Sequence, residues 1–135
     1  MVNIQLQSQM FYGDADALRD FFFVHRLVHI GIDAAVSRAG LGSLPNATLD
    51  SERALAAWVS VMRKDQQADE GGQYALLDWL QLHANLHQAE YSALGLGVGP
   101  DLGVVDFSQE SEFYDWMYSH AAAHDTLGDA TGTNQ

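Results

Sequence analysis

All six histidines of the chain fall within three copies of one local pattern, Asp-aromatic-x3-His-x3-His. The copies begin at Asp20, Asp78 and Asp115, and they supply the pairs His25 and His29, His83 and His87, and His120 and His124. A spacing of four residues places both imidazoles of a pair on one face of a helix, about one turn apart. The pattern therefore predicts a repeated helical unit with two imidazoles on one face.

Apolar residues recur with a helical period around each copy and once more between the first two copies. Asp14 is a suitable N-cap for the first helix, and glycines follow the first, third and fourth apolar stripes. With their capping residues, the predicted helices span about 14–40, 50–66, 73–95 and 108–128. The chain is long enough for one domain with a single core.

The connectors repeat as well as the helices. Gly-Leu-Gly-Ser-Leu-Pro at 40–45 returns as Gly-Leu-Gly-Val-Gly-Pro at 95–100, and the second helix aligns with the fourth at an offset of 58. Met62 and Gln66 then stand where the fourth helix has its histidines. We therefore predict an all-α four-helix bundle at 14–128, built from two similar helical hairpins, with an extended N-terminal arm at 1–13 and a polar C-terminal tail at 129–135.

Charge is distributed unevenly along the chain, whose net charge is -12. All Lys and Arg residues lie before position 65, whereas residues 65–135 hold acidic residues alone among the charged types. With no cationic stripe we expect no direct nucleic-acid binding, and no apolar run approaches the roughly 20 residues that span a membrane. The acidic half is interpreted as a solvated face or, alternatively, as a DNA mimic that binds a basic protein.

Two interpretations of the histidine pairs remain open from the sequence. Three His-x3-His pairs can build a metal site inside a bundle, with ligands drawn from His83, His87, His120, His124, His25 and His29. Alternatively, the imidazoles are structural and donate ring N–H groups to acceptors on neighbouring helices, the Asp of each motif being one such acceptor. The second helix keeps its apolar stripe without any histidine, which favours the structural interpretation.

Chemistry beyond packing has little support in the sequence. There is no cysteine, no Gly-x-Ser-x-Gly elbow, and neither the Glu-x-x-His pair of di-iron bundles nor a His-Glu-x-x-His motif. We therefore predict no catalytic residues, no cofactor, no bound metal and no enzymatic activity.

Several short motifs carry a resemblance to a known group of proteins. Residues 55–128 resemble small uncharacterised helical proteins encoded among the virion genes of tailed bacteriophages, through Trp79-x3-His83-x3-His87, Leu94-Gly95, Asp101-Leu102, Val105-Asp106-Phe107, Phe113-x2-Trp116-Met117-x2-His120-x3-His124 and Leu127-Gly128. The resemblance implies a minor structural protein of the virion, at the head-to-tail or tail assembly, whose partners are other virion proteins. We further expect a homo-oligomer in which the N-terminal arm contacts an adjacent subunit.

A second resemblance leads to the competing hypothesis. Metal-binding four-helix proteins of the DinB type look similar in using a His-x3-His on one helix with a further histidine. This resemblance implies a metal-binding helical-bundle enzyme. The present chain differs from that pattern in having three His-x3-His pairs.

Overall fold

The computed structural model describes residues 12–42, 44, 50–63 and 70–133. Its four helices are α1 (Ala15–Arg38), α2 (Glu52–Arg63), α3 (Glu70–Ala93) and α4 (Glu110–Thr131), and the described residues include no strand. The prediction of an all-α, four-helix fold is confirmed. None of the described helices is both long and apolar enough to cross a membrane. Residues 1–11 of the predicted arm and 134–135 of the predicted tail lie outside the described residues.

The ends of α1 and α3 follow from their capping residues. The Asp14 carboxylate accepts hydrogen bonds from two backbone N–H groups in the first turn of α1, at 3.0 and 3.2 Å. Gly40 adopts a φ of 70° after α1, and the backbone N–H of Leu41 then donates to the carbonyl of Val36 at 3.1 Å. The same arrangement closes α3 at Gly95, whose φ is 69°. The repeated connectors therefore begin with a glycine that ends a helix.

The other predicted boundaries shift by a few residues. Helix α4 does not stop at Gly128 but continues to Thr131, and the left-handed residue that ends it is Gly132, with a φ of 71°. Glycine inside a helix costs roughly 1 kcal/mol without ending it. Similarly, α3 begins at Glu70 and so includes the glycines at 71 and 72. Residues 129–131, predicted as tail, belong to α4, and residues 64–66 of the predicted second helix lie outside the described residues.

Helices α1, α3 and α4 surround a common axis and run in the same direction. The ring centroids of His25, His83 and His120 are 4.9 Å apart in all three pairings. One turn later, the centroids of the second histidines, those of positions 29, 87 and 124, are 4.7–4.8 Å apart. Equivalent residues meet level by level, which requires parallel helices. The internal repeat therefore has approximate threefold symmetry.

The connection between α3 and α4 returns along α3. Its Gly99 N–H donates to the side chain of Gln88 at 3.1 Å, and Gly103 lies against Ala84 one turn earlier in the helix. The chain thus comes back to the starting end of α3 before α4 begins. In this four-helix arrangement the third and fourth helices are joined by a crossover, and they are not an antiparallel hairpin.

Helix α2 supplies the aromatic residue that closes one end of the threefold arrangement. Trp58 is fully buried, with ring centroids of Phe21, Trp79 and Trp116 at 6.3, 4.8 and 5.6 Å. These three aromatics are the ones that precede the histidines in the three motifs. Trp58 therefore sits on the axis at the aromatic end, and the histidines lie next along it.

Candidate metal centre

The six histidines form one buried cluster. None is more than 4% exposed, and one ring nitrogen from each lies within 4.8 Å of all the others. The cluster comprises His25 and His29 of α1, His83 and His87 of α3, and His120 and His124 of α4. All six residues of the metal alternative derived from the sequence are thus brought together.

The first histidines of the three helices form a triangular layer. The Nε2 atoms of His25, His83 and His120 are 3.1 Å apart in every pairing. Each ring therefore directs the same nitrogen toward one point on the axis.

The second histidines lie one turn further along the axis. The Nε2 atom of His29 lies 3.1 Å from that of His25, and the Nε2 atom of His124 lies 3.0 Å from that of His120. His87 completes the layer, with its ring centroid 4.4 Å from that of His83. Each helix consequently contributes two nitrogens to the cluster, one turn apart.

Aromatic stacking holds the first-layer rings. Trp79 stacks on His83 with centroids 4.4 Å apart and an interplanar angle of 14°, and Trp116 stacks on His120 at 4.7 Å and 11°. Phe21 occupies the equivalent position beside His25, at 5.2 Å and 15°. Spacing of i to i+4 on one helix face brings each pair together. The aromatic residue of the sequence motif therefore orients its histidine.

Asp50, just before α2, fixes the tautomer of His25. One carboxylate oxygen lies 2.6 Å from His25 Nδ1, and the other accepts a hydrogen bond from the indole N–H of Trp79 at 2.7 Å. A carboxylate in this position accepts the Nδ1–H of a neutral imidazole. The His25 Nε2 atom then carries a lone pair directed into the cluster.

Glu90 is the second carboxylate that contacts the cluster. Its Oε2 atom lies 3.0 Å from His29 Nδ1, and the residue is fully buried. Burial raises the pKa of Glu90 to about 8, with a smaller opposing effect from Asp33. Burial also raises the pKa of Asp33 to about 8, and the adjacent Glu90 adds to this shift. The two acids lie at the end of the cluster opposite Trp58.

The Asp residues of the three motifs are not the acceptors that the structural interpretation predicted. Asp20, Asp78 and Asp115 are all exposed. Each Asp lies five residues before the first histidine of its motif, which is about 140° away from it around the helix, and in the folded chain the Asp faces solvent. Asp50 and Glu90 take the predicted role instead, each from a different helix or segment than its histidine.

Burial makes protonation of the imidazoles unfavourable. It is the main reason why the pKa values of His29, His83, His87, His120 and His124 fall well below the ordinary value of 6.5. The surrounding histidines lower these pKa values further, since a second positive charge would be only a few ångströms away. These five imidazoles are therefore neutral, which is the form that binds metal ions.

Hydrogen bonds alone cannot satisfy the first layer. Its three Nε2···Nε2 contacts each need one hydrogen, but His25 Nε2 carries none because its proton is on Nδ1. If His83 and His120 both donate to His25, their own contact at 3.1 Å brings two N–H groups together. At least one contact is therefore repulsive in every assignment of neutral tautomers. A cation on the axis would accept all three lone pairs at once.

Four Nδ1 atoms have no hydrogen-bond partner in the described part of the chain, those of His83, His87, His120 and His124. The structural interpretation predicted carboxylate or carbonyl acceptors for such rings, and among the described residues it accounts for His25 and His29 alone. Inter-helix hydrogen bonding thus accounts for two of the six histidines.

Sequence reasoning missed Asp50, Glu90 and Asp33. Glu90 could have been found from the sequence. An offset of 58 residues aligns the helix of His25 with the helix of His83, and it places Glu90 opposite Ile32, a residue of the apolar stripe. An acid at a core position next to a histidine pair can accept the outer ring N–H of a histidine and so orient its other nitrogen. A scan against models of protein families, a search of curated proteins and a search of solved structures found no match to this chain.

Proposed function

We propose that this protein binds one divalent transition-metal ion in its core through the histidine cluster. The observation that carries the proposal is the triangle of Nε2 atoms 3.1 Å apart, formed by His25, His83 and His120. Neutral imidazoles cannot hydrogen-bond to one another in this triangle without a repulsive contact, whereas lone pairs that converge on one point are what a metal ion requires.

The charges of the surrounding residues support a divalent cation. A buried ion of charge +2 needs nearby negative charge, because neutral imidazoles supply none. Asp50 and Glu90, whose side chains are 3% and 0% exposed, each contact the outer nitrogen of a cluster histidine. Two carboxylates would offset the charge of a divalent ion and would fix the ring orientations.

The ligand type narrows the class of ion. The described residues present imidazole nitrogens at the centre, and imidazole suits Zn, Cu, Fe and Ni, whereas Mg²⁺ and Ca²⁺ prefer oxygen ligands. The histidine pairs thus bind a metal ion, as in the alternative hypothesis, but no reaction is assigned to the site. A structural role in a bacteriophage particle stays a prediction. A metal ion that is bound by three helices is compatible with such a role.

Calorimetric titration of the full chain tests the proposal. After treatment with a chelator, the wild-type protein is titrated with Ni²⁺ and its thermal unfolding is followed. We expect one ion per chain and a higher unfolding midpoint, because an ion that binds only the folded state stabilises it by about 2.7 kcal/mol at a hundred times its dissociation constant.

A pair of variants links binding to the cluster. His83→Ala with His87→Ala should abolish stoichiometric binding, whereas Asn85→Ala, an exposed change between them on the same helix, should leave it intact. If the wild-type chain bound none of Fe²⁺, Ni²⁺, Cu²⁺ and Zn²⁺, the proposal would be wrong, whatever the folding of the variants.

A further inference from the structure

We infer that all six imidazoles ligate the same ion, in an octahedral site that leaves no position for water or substrate. This inference rests on the proposed function and extends it to the coordination number and the kind of ion. Metal–nitrogen bonds to imidazole are about 2.1 Å long. Neighbouring nitrogens of an octahedron are then about 3.0 Å apart and opposite ones about 4.2 Å, whereas a tetrahedron gives about 3.4 Å.

The Nε2 separations that join five of the six rings match the edges of an octahedron. Five Nε2···Nε2 distances, three within the first layer and two between the layers, are 3.0–3.1 Å. All six ligand atoms lie within 4.8 Å of one another, so that no pair is much farther apart than opposite corners. Two triangular layers of three nitrogens are the two opposite faces of an octahedron.

The same limit of 4.8 Å excludes a two-metal centre in this arrangement. Paired metal ions in proteins are about 3.5–4 Å apart. Three nitrogens on the outer face of each ion would then be more than about 5 Å from those of the other ion. The cluster is too compact for two ions with three imidazoles each.

Six nitrogen ligands in an octahedron select among the ions that imidazole suits. Zn²⁺ in structural sites is almost always four-coordinate, and Cu²⁺ prefers a tetragonal arrangement. Fe²⁺ and Ni²⁺ remain as imidazole-binding ions that accept six equivalent ligands. A saturated ion has no open position at which a substrate or a reactive water would bind. The site would therefore hold its ion without activating a bound substrate.

X-ray absorption on the wild-type chain loaded with Ni²⁺ tests the coordination number. We expect six nitrogen scatterers at one distance with the multiple scattering of imidazole. The chain loaded with Co²⁺ should show the weak visible absorption of an octahedral ion rather than the intense bands of a tetrahedral one. In competition, equimolar Zn²⁺ should leave most of the bound Ni²⁺ in place.

A single variant gives an independent readout. Neither ring nitrogen of His87 has a hydrogen-bond partner among the described residues, so that His87→Ala removes a ligand without breaking a hydrogen bond in that part of the chain. We expect five nitrogens and one oxygen around Ni²⁺, with affinity lowered more than about tenfold. Asn85→Ala is the matched control and should keep six nitrogens.

The outcomes separate this inference from the proposed function. One bound ion with four nitrogens, two bound ions per chain, or unchanged coordination in His87→Ala would overturn the octahedral site and leave metal binding established. Absence of any bound ion would overturn both.

Discussion

The Oε2 atom of Glu90, on α3, lies 3.0 Å from the Nδ1 atom of His29, on α1. The other two histidine helices carry Ile32 and Leu127 at the position equivalent to Glu90. All three residues are fully buried. One of three equivalent core positions therefore holds an acid, and it breaks the threefold symmetry of the cluster. In a chain without metal this acid is costly, because burial disfavours its charged form.

Glu90→Gln should have opposite effects on the metal-free and metal-bound protein. The folded-state pKa of Glu90, about 8, is above its ordinary value of 4.5. The folded chain therefore loses stability as pH rises from about 4.5 toward 8, and Glu90→Gln prevents this loss because an amide does not ionise. We expect Glu90→Gln to raise the stability of the metal-free chain at pH 8 more than at pH 5.

The affinity for Ni²⁺ should fall by about 10- to 100-fold in the same variant, because a negative charge next to a ligand is lost. Urea unfolding at the two pH values and calorimetric titration measure the two effects. Glu112→Gln, at an exposed site, is the control and should change neither. Equal affinities for Glu90→Gln and the wild type would show that this carboxylate does not support the ion.

Asp50→Asn should weaken metal binding through the orientation of His25. The amide can present its N–H group where the carboxylate accepted the imidazole proton, 2.6 Å from Nδ1, so that the Nε2 lone pair is no longer enforced. We expect a loss of about 10- to 100-fold in affinity, measured by titration. Asp101→Asn, on the exposed connector, provides the comparison. A similar loss in both variants would contradict a specific role for Asp50.

Acid should destabilise the metal-free protein through the buried imidazoles. The five histidines with lowered pKa are neutral in the folded chain and protonate near 6.5 when it unfolds. Their contribution to stability is complete above pH 6.5 and is lost below it, by about 1.4 kcal/mol per pH unit for each histidine that remains neutral.

Denaturant unfolding between pH 7.5 and 5 in the presence of a chelator measures this dependence. The slope should be shallower in His87→Gln, which has one such imidazole fewer. Constant stability across that range would mean that the imidazoles protonate as readily in the folded chain as in the unfolded one.

Two glycine substitutions should act in opposite directions. Gly31 lies within α1 with nothing within 4 Å of an added Cβ, so that Gly31→Ala should stabilise the chain by about 0.5–1 kcal/mol. Gly40 has a φ of 70°, and Gly40→Ala should therefore destabilise it by about 1 kcal/mol despite equally open space. Thermal unfolding of both variants tests the pair, and a change of the same sign would contradict the assigned backbone conformations.

The sequence predicted the helices and their inner faces because both depend on local spacing. The apolar residues at helical spacing around His25 and His29, from Leu18 to Val36, are all buried. Convergence of the histidines was not predictable in the same way, since it depends on the relative direction of the helices. That direction follows from the return of residues 94–109 along α3, where contacts such as Gly99 with Gln88 join residues that no periodicity relates.

The carboxylates illustrate the same limit. Asp50 belongs to a segment between helices, and its contact with His25 spans 25 positions along the chain. No local pattern marks such a residue. Glu90 was detectable in principle, because the internal repeat supplies two apolar equivalents for comparison.

The level-by-level arrangement of α1, α3 and α4 has a consequence for synthesis of the chain. Contacts within the first layer join residues 58, 37 and 95 positions apart. A growing polypeptide that has been translated only through α3 presents four imidazoles to a metal ion, and the last pair follows with α4. The ion would therefore be bound tightly only after the final helix has been translated, because the connecting loops cannot be closed around the ion before the last two ligands are present.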